Sequence, residues 1–545
     1  VSTATTSGDA ERVCWRPWSG DVFSQARAEG KRVLLSISAS WCHWCHVMDE
    51  ESFAHPEVIR QLNNRFIPVR VDSDQRPDIN SRYNMGGWPT VAVLDEEGRV
   101  IAGETYLPLG SFLAWLESAA RAQAPFPHQV TVPRPVPAAP ALDHALVMSV
   151  ADWLERAYDP TFGGFGRAPK FPQPSAVELL FRLHARTGEA RWRSMAIKTL
   201  DAMREGELCD PIDGGFFRYA TSDDWSAPHT EKLLDVNARL LSLYLEAYRV
   251  TNTVSYRTTA QEIEGYLLST LMVEAPAVNG PAGGVWFGGS QAADRDYYHG
   301  SQEERLEAEP PLIDRTLYLD RNAMAASALL AAGGMLQKPD DRELGLTLLE
   351  FLWTHGQSPD GGMTHYGDGG VNIRRMTGGY LTDQVWLLCA LLDGCETAGR
   401  QPWLDRAETL ASALTRRWWD GQSGGFWDLP VDLAGENTGE PAGLLRVRLK
   451  PLVENAVAAI GLTRLARLTG NAQYRRLAEQ TLRALVPLIG EYRRHAAPFG
   501  VALDYFLSSG AADHEMKTME ERAIQDRPTE DRSTEDRSKG PGDRR

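Results

Sequence analysis

Two cysteines three positions apart, Cys42 and Cys45, stand in the stretch SWCHWCHVMDEESF, each followed by a histidine. Thiols at this spacing exchange electrons with a disulfide, because the second sulfur can reach the first and displace whatever it has bound. The context supports that chemistry. The run VLLSIS at 33–38 reads as a strand and the residues after it as the first turn of a helix. Backbone N–H groups and the helix dipole at such an end favour a thiolate. The placement predicts an ionised, reachable Cys42 as the attacking sulfur and Cys45 as the resolving one, with His43 and His46 supplying positive charge. GGWPT at 86–90 precedes another β-type run, and Pro89 in the cis form would set a backbone edge beside the pair.

The same residues fit other chemistries. Cys42, Cys45 and His46 match C-x-x-C-H, the haem-attachment spacing, but no second haem ligand stands out. A zinc site would need ligands that no second C-x-x-C or paired histidine motif supplies. Ordinary helix packing is the third alternative, and it is the expected role of Trp41 and Trp44 whatever the thiols do. No metal and no cofactor is expected.

The elements that must position the thiols alternate in type. VLLSIS, a helix through the cysteines, FIPVRVD at 66–72 and TVAVLDEEGRVIAGE at 90–104, closed by the helical SFLAWLESAARAQ, predict a small α/β sheet. The proline-rich APFPHQVTVPRPVPAAPALD then reads as a stiff linker. From about 141 to 509 apolar stripes recur at helical spacing, as in Val236, Leu240, Leu243, Ala247 and Val250. Pairs of helices repeat, separated by glycine-rich turns such as DPTFGGF, DPIDGGFFRY and GQSGGFW. About six such hairpins predict a closed α/α toroid, since each buries its stripe only against neighbours. The last residues carry charges of both signs and almost no apolar side chains, and are expected to be disordered.

The loops that join the hairpins hold the second set of candidates. His229, Glu231, Asp235, Asp320, His365, Asp383 and Glu454 offer acids and bases, and Phe217 and Trp286 offer aromatic faces. Glycoside hydrolysis uses two carboxyls, and epimerisation uses paired bases near a sugar carbon. Asp235, Asp320 and Asp383 also fit simple helix caps. His229, beside Pro228 and two residues before Glu231, fits a structural or a catalytic histidine equally. Acid and amide recur together at helix starts: Asp235 with Asn237, Asp320 with Asn322, Asp383 with Gln384, Glu454 with Asn455.

The net charge of -16 over 545 residues disfavours nucleic acid and anionic membrane as partners. No apolar stretch reaches the length of a membrane span. Six cysteines with one pair at motif spacing suit a reducing compartment, here the cytoplasm. No secretory signal is visible in VSTATTSGDAERV.

The stretches CWRPWSGDVFSQARAEGKRVLLSISASWCHWCHVMDEESF, VRVDSDQRPDIN, GGWPT, GGFGRAPKFPQP and DGGFFRYATSDDWSAPHTEKLLDVNARL resemble the spermatogenesis-associated protein 20-like family. The resemblance implies a multidomain chain: an α/β thioredoxin-like N-terminal domain followed by an all-α (α/α)6 toroid similar to six-hairpin glycosidases and N-acylglucosamine 2-epimerases. Thr230 departs from it, standing where members often have an aromatic. The expected division is a thioredoxin-like domain at 11–124, a linker at 125–140, the toroid at 141–510 and a charged tail at 511–545. The expected function is thiol–disulfide exchange with a protein or small-molecule disulfide, coupled to a toroid that binds a carbohydrate or client. The alternatives are a sugar epimerase or glycoside hydrolase acting in the toroid, and a non-catalytic interaction protein.

Overall fold

The computed structural model describes residues 12–122, 141–275, 284–359, 361–367, 379–431 and 442–509. The expected linker at 125–140 and tail at 511–545 lie outside them.

The first domain is a four-stranded sheet, β1 (Arg32–Ser38), β2 (Phe66–Asp72), β3 (Thr90–Leu94) and β4 (Val100–Glu104), in the order β2-β1-β3-β4. β1 runs parallel to β2 and antiparallel to β3. Helices cover both faces: α1 (Gly20–Glu29), α2 (His43–Val47), α3 (Pro56–Arg65), α4 (Pro77–Tyr83) and α5 (Leu109–Arg121). Covering both faces explains why β1 is buried at every position from Val33 to Ile37, Ser36 included, rather than at alternate ones. Val33, Leu35 and Ile37 pack toward α1 and α4, while Leu34 packs with Phe112 and Leu116 of α5 on the opposite face.

The second domain contains α6 (His144–Ala157), α7 (Pro174–Thr187), α8 (Ala190–Glu205), α9 (Leu234–Thr251), α10 (Val254–Tyr266), α11 (Arg295–His299), α12 (Gln302–Glu307), α13 (Leu319–Met335), α14 (Pro339–His355), α15 (Leu381–Ala398), α16 (Trp403–Arg417), α17 (Leu452–Thr469) and α18 (Ala472–Tyr492). A last helix covers residues 497–509. Hairpins α7/α8, α9/α10, α13/α14, α15/α16 and α17/α18 follow one another, with the odd-numbered members packed side by side in an inner ring. The sixth hairpin is not consecutive in sequence. It joins α6 to the last helix, and Asp504 closes the ring through Arg182 at 3.0 Å and Arg186 at 2.7 Å on α7. The toroid therefore needs both its ends to complete the core.

The recurring turns are explained by two sets of buried contacts. Lys170, Lys232 and Lys450 each bond an aspartate at 2.6 Å, Asp159, Asp210 and Asp420 respectively, and also a turn carbonyl, that of Gly163, Gly214 or Gly424. The amides of the acid–amide pairs make the second set. Asn237, Asn322, Gln384 and Asn455 each accept the backbone N–H of the residue beyond a turn, Phe216, Phe287, Met363 and Phe426, at 2.7–2.8 Å. Each returns a hydrogen bond to the same residue's carbonyl, at 2.8–3.0 Å. Gly215 and Gly425 are required here: both have positive φ, and a Cβ would lie 3.1 Å from the clamping Asn237 or Asn455 oxygen.

Short strands gather at one end of the ring: β5 (Tyr219–Ala220) pairs with β6 (Pro228–His229). A larger sheet holds β7 (Lys232–Leu233), β8 (Met272–Ala275), β9 (Gly284–Gln291), β10 (Ile313–Tyr318) and β11 (Tyr366–Gly367). Against this end sits the first domain. Arg82 of α4, fully buried, donates to the carbonyls of Leu444 and Val447 and pairs with Asp428 at 2.6 Å, while the Tyr83 hydroxyl accepts from Leu444 N at 2.7 Å.

Candidate functional site at the domain interface

The chain leaves β1 at Ser38 and turns so that Cys42 becomes the N-cap of α2. Its sulfur accepts the Cys45 N–H at 3.2 Å, and the two cysteines are joined as a disulfide. A helix start thus faces the sulfur, as the spacing required. The Trp88–Pro89 bond is cis, and β3, which begins at the next residue, pairs with β1 through Ile37 and Thr90.

Accessibility differs from the expectation. Cys42 is only 3% exposed and Cys45 2%, because Leu233 and Val236 of the toroid pack with Trp41 and Trp88 around them. His43 lies on the exposed side of α2, its ring edge-on to Trp44 at 5.2 Å, and Trp44 rests on Tyr106.

Trp41 touches both domains at the interface. Its carbonyl accepts from Ala293 N at 3.4 Å, its indole donates to Asp74 at 2.8 Å, and the Arg218 guanidinium lies 4.5 Å from its ring centre. Ser40 donates to Asp314 at 3.1 Å. Asp74 follows β2 and enters the toroid mouth, where Arg321 pairs with its carboxylate at 2.8 Å and His365 Nε2 donates to its carbonyl at 2.7 Å. Burial raises the Asp74 pKa, but the Arg321 charge and hydrogen bonds outweigh it and hold the carboxyl below its usual range.

His365 uses its other nitrogen on Asp383, at 2.8 Å. Burial opposes its charge, yet Asp383 pushes its pKa up to about 9, so both nitrogens donate at neutral pH. Burial brings Asp383 up to about 6, His365 acting against that rise; its second oxygen caps α15 by accepting from Tyr380 N at 2.8 Å. Asp320 joins them, the ligand atoms of Asp320, His365 and Asp383 lying within 4.8 Å of one another. Asp320 accepts from Thr382 at 2.9 Å and Asp383 is occupied by His365 and Tyr380, so these donors are engaged with the protein itself.

Asp235, Asp320 and His365 line a cavity of about 500 Å³ between the domains, together with Trp41, Trp88 and Arg218. Burial raises the Asp235 pKa. Glu454 stands outside the lining residues, and burial, with Asp320 adding repulsion, brings it up to about 7. His229 and Glu231 sit one step back from the cavity. His229 stacks on Tyr219 with its Nδ1 3.7 Å from Glu231, and Glu231 approaches Arg218 at 3.6 Å.

Two aromatic candidates are placed elsewhere. Trp286 is buried against Phe351 with its indole donating to the Arg315 carbonyl, and Phe217 is buried edge-on to Tyr298 in a separate recess. Aromatics after the glycine turns point into hairpin packing because the amide clamps fix the backbone there. Conversely, Asp74, Arg218, Arg239 and Arg321 were not among the sequence candidates. Asp74 lies within VRVDSDQRPDIN, but its partner Arg321 is 247 positions away.

The class of molecule is defined by these observations: a thioredoxin-like domain carrying a C-x-x-C pair, docked on an α/α toroid. Residues 4–116 match the family described as Thioredox_DsbH, protein of unknown function, DUF255. The expected resemblance is borne out: the chain is 33% identical over 295 residues to spermatogenesis-associated protein 20 of Mus musculus, covering 48% of this chain. The human protein of that name is 32% identical over 292 residues. The match spans 37% of the length of the mouse relative. The thiol:disulfide interchange protein DsbD 2 of Pseudomonas aeruginosa is 34% identical over 100 residues, 17% of each chain. The toroid has the fold of cellobiose 2-epimerase from Spirochaeta thermophila (TM-score 0.51, 15% identity, 68% of this chain and 96% of that one). It also has that of a sugar epimerase from a ruminal bacterium (TM-score 0.50, 11% identity, 67% and 98%). No helix among the described residues is long and apolar enough to cross a membrane.

Proposed function

We propose that the chain is a thiol–disulfide oxidoreductase whose toroid builds half of the reaction site. The observation that carries this reading is the Cys42–Cys45 pair at the start of α2, directly after β1 and packed against toroid residues Leu233 and Val236. In the reduced protein the Cys42 thiolate attacks a substrate disulfide; one substrate thiolate leaves and takes a proton. Cys45 then attacks the Cys42 sulfur, releases the second thiolate and forms the disulfide seen in the structure. Two electrons pass from the cysteine pair to the substrate, and an external dithiol resets the pair. Pro89 supplies the backbone edge for the substrate, and His43 is the polar neighbour of the pair on the exposed side of α2. The reading divides the chain into a redox domain at 11–124, a linker at 125–140, a toroid at 141–510 and a tail at 511–545. It places the protein in the cytoplasm, a location supported by Cys209, Cys389 and Cys395, which stand outside any disulfide. A Cys45→Ser variant mixed with hydroxyethyl disulfide is expected to hold a mixed disulfide on Cys42, read by intact mass; a variant that stays unmodified overturns the reading.

A second reading places carbohydrate chemistry in the toroid. It is favoured by Glu454, whose carboxyl at about 7 can carry a proton at neutral pH beside Asp320. His365 is a poor base there, since both its nitrogens are engaged. Turnover of mono- and disaccharides by epimerase and hydrolase assays, lost in Glu454→Gln and in His229→Ala, is the expected result. Undiminished turnover in His229→Ala removes that residue from the site.

A further inference from the structure

Resting on the thiol–disulfide reading, we propose that the substrate is a low-molecular-weight disulfide with amino-acid-type ends, admitted through the interdomain cavity, and that the toroid excludes folded protein clients. Three observations converge on this. The first is cover. The sulfur pair is packed by Ala39, Trp41, Trp88, Leu233 and Val236, and all of these except Ala39 also line the cavity. The pair thus lies directly behind residues that line the cavity, and Trp88 or Val236 must shift aside for the disulfide exchange.

The second is size. A cavity of about 500 Å³ suits a small molecule. A folded client needs roughly 800 Å² of complementary surface per partner. Much of the ground around the pair is already held by the toroid, through Ser40 with Asp314, Trp41 with Ala293 and Arg218 over Trp41.

The third is charge. Asp74 and Arg321 are paired with each other, Asp320 accepts from Thr382, and His365 is bonded on both nitrogens. Asp235 and Arg239 are different. They sit one turn apart on α9 and both line the cavity, yet no hydrogen bond joins them. Asp235 Oδ1 has no hydrogen-bond partner among the described residues, and the Arg239 guanidinium makes one hydrogen bond, to Ser175 at 2.7 Å. Neighbouring groups of opposite sign, with acceptor and donor capacity unfilled, match the ammonium and carboxylate of one amino-acid end. In the step itself, the reduced pair and one such disulfide yield the Cys42–Cys45 disulfide and two small thiols, so atoms and both electrons balance without a further reagent.

The test uses the full chain, reduced and freed of reductant, with oxidation of the pair followed by thiol trapping and mass. Cystine is the charged probe, hydroxyethyl disulfide the neutral one and insulin the folded protein. Cystine is expected to react about tenfold faster than hydroxyethyl disulfide, with insulin slowest. Asp235→Asn and Arg239→Gln each lower the cystine-to-hydroxyethyl-disulfide ratio about tenfold, and Arg239→Lys restores part of it. Opening of the interface would also lower the ratio but would speed insulin, so an insulin rate unchanged from the wild type assigns the effect to the two side chains. Insulin reacting as fast as cystine overturns the proposal, as does a ratio that the variants do not move. Failure of all three disulfides to oxidise the pair overturns the thiol–disulfide reading itself, and is told apart by that pattern.

Discussion

The hairpin clamps and the domain interface use similar residues to opposite ends. In the clamps, Asn237, Asn322, Gln384 and Asn455 repeat one geometry around the ring, and each amide is fully engaged with backbone. At the interface, Asp74, Arg321, His365 and Arg239 stand outside that repeat, and Asp235, whose place recurs as Asp320, Asp383 and Glu454, keeps Oδ1 without a hydrogen-bond partner among the described residues. Repetition with complete pairing marks architecture. Unfilled hydrogen-bonding capacity, as at Asp235 and Arg239, marks a place where something else binds.

That contrast can be broken most forcefully at Lys232. Removing its ammonium with Lys232→Met leaves Asp210 buried without one of its cations, and a loss of about 3–5 kcal/mol is expected in denaturant melts. A change under 1 kcal/mol would show that the clamp is incidental. Next comes Asn322→Ala, which strands the buried Phe287 N–H and carbonyl; about 2–3 kcal/mol is expected by the same measurement. Because the clamps are architectural, both variants should destabilise the toroid as a whole.

Interface variants should behave differently. Arg321→Gln removes the cation that pairs with Asp74, so about 2 kcal/mol of domain docking is expected to be lost. Faster proteolysis between the domains with an unchanged toroid melt would confirm that the contact is local. The smallest effect is the pH response of His365. Its raised pKa means that its contribution is complete below about 6.5, declines as pH rises, and is gone above about 9. Asp383, raised to about 6, carries a penalty once ionised that offsets part of this gain. Between pH 7 and pH 10 the wild type should therefore lose more thermal stability than His365→Gln, and equal losses would show that the His365–Asp383 charge pairing does not contribute.

The features legible in the sequence are those whose physics is local. Cys42 and Cys45 lie one turn apart, so strand, cap and spacing specify their geometry within a few residues of each other. The helical stripes and the D-x-x-x-G-G turns likewise reveal hairpins, since 3.6-residue periodicity and positive φ at glycine are properties of short segments. The acid–amide pairs were visible too, but which partner faces backbone and which faces the cavity depends on neighbouring hairpins.

The amino-acid sequence by itself determined the spacing of the cysteine pair, the sheet that carries it and the repeating helical unit. Only the tertiary structure decided that the pair is covered, that Asp74 reaches His365 and Arg321 in the toroid, and that α6 closes the ring with residues 497–509. Those outcomes come from contacts between residues far apart in the chain, 247 positions for Asp74 with Arg321 and 291 for Asp74 with His365. No local propensity encodes such a contact; it forms when two separately specified surfaces bury each other's charges and apolar side chains.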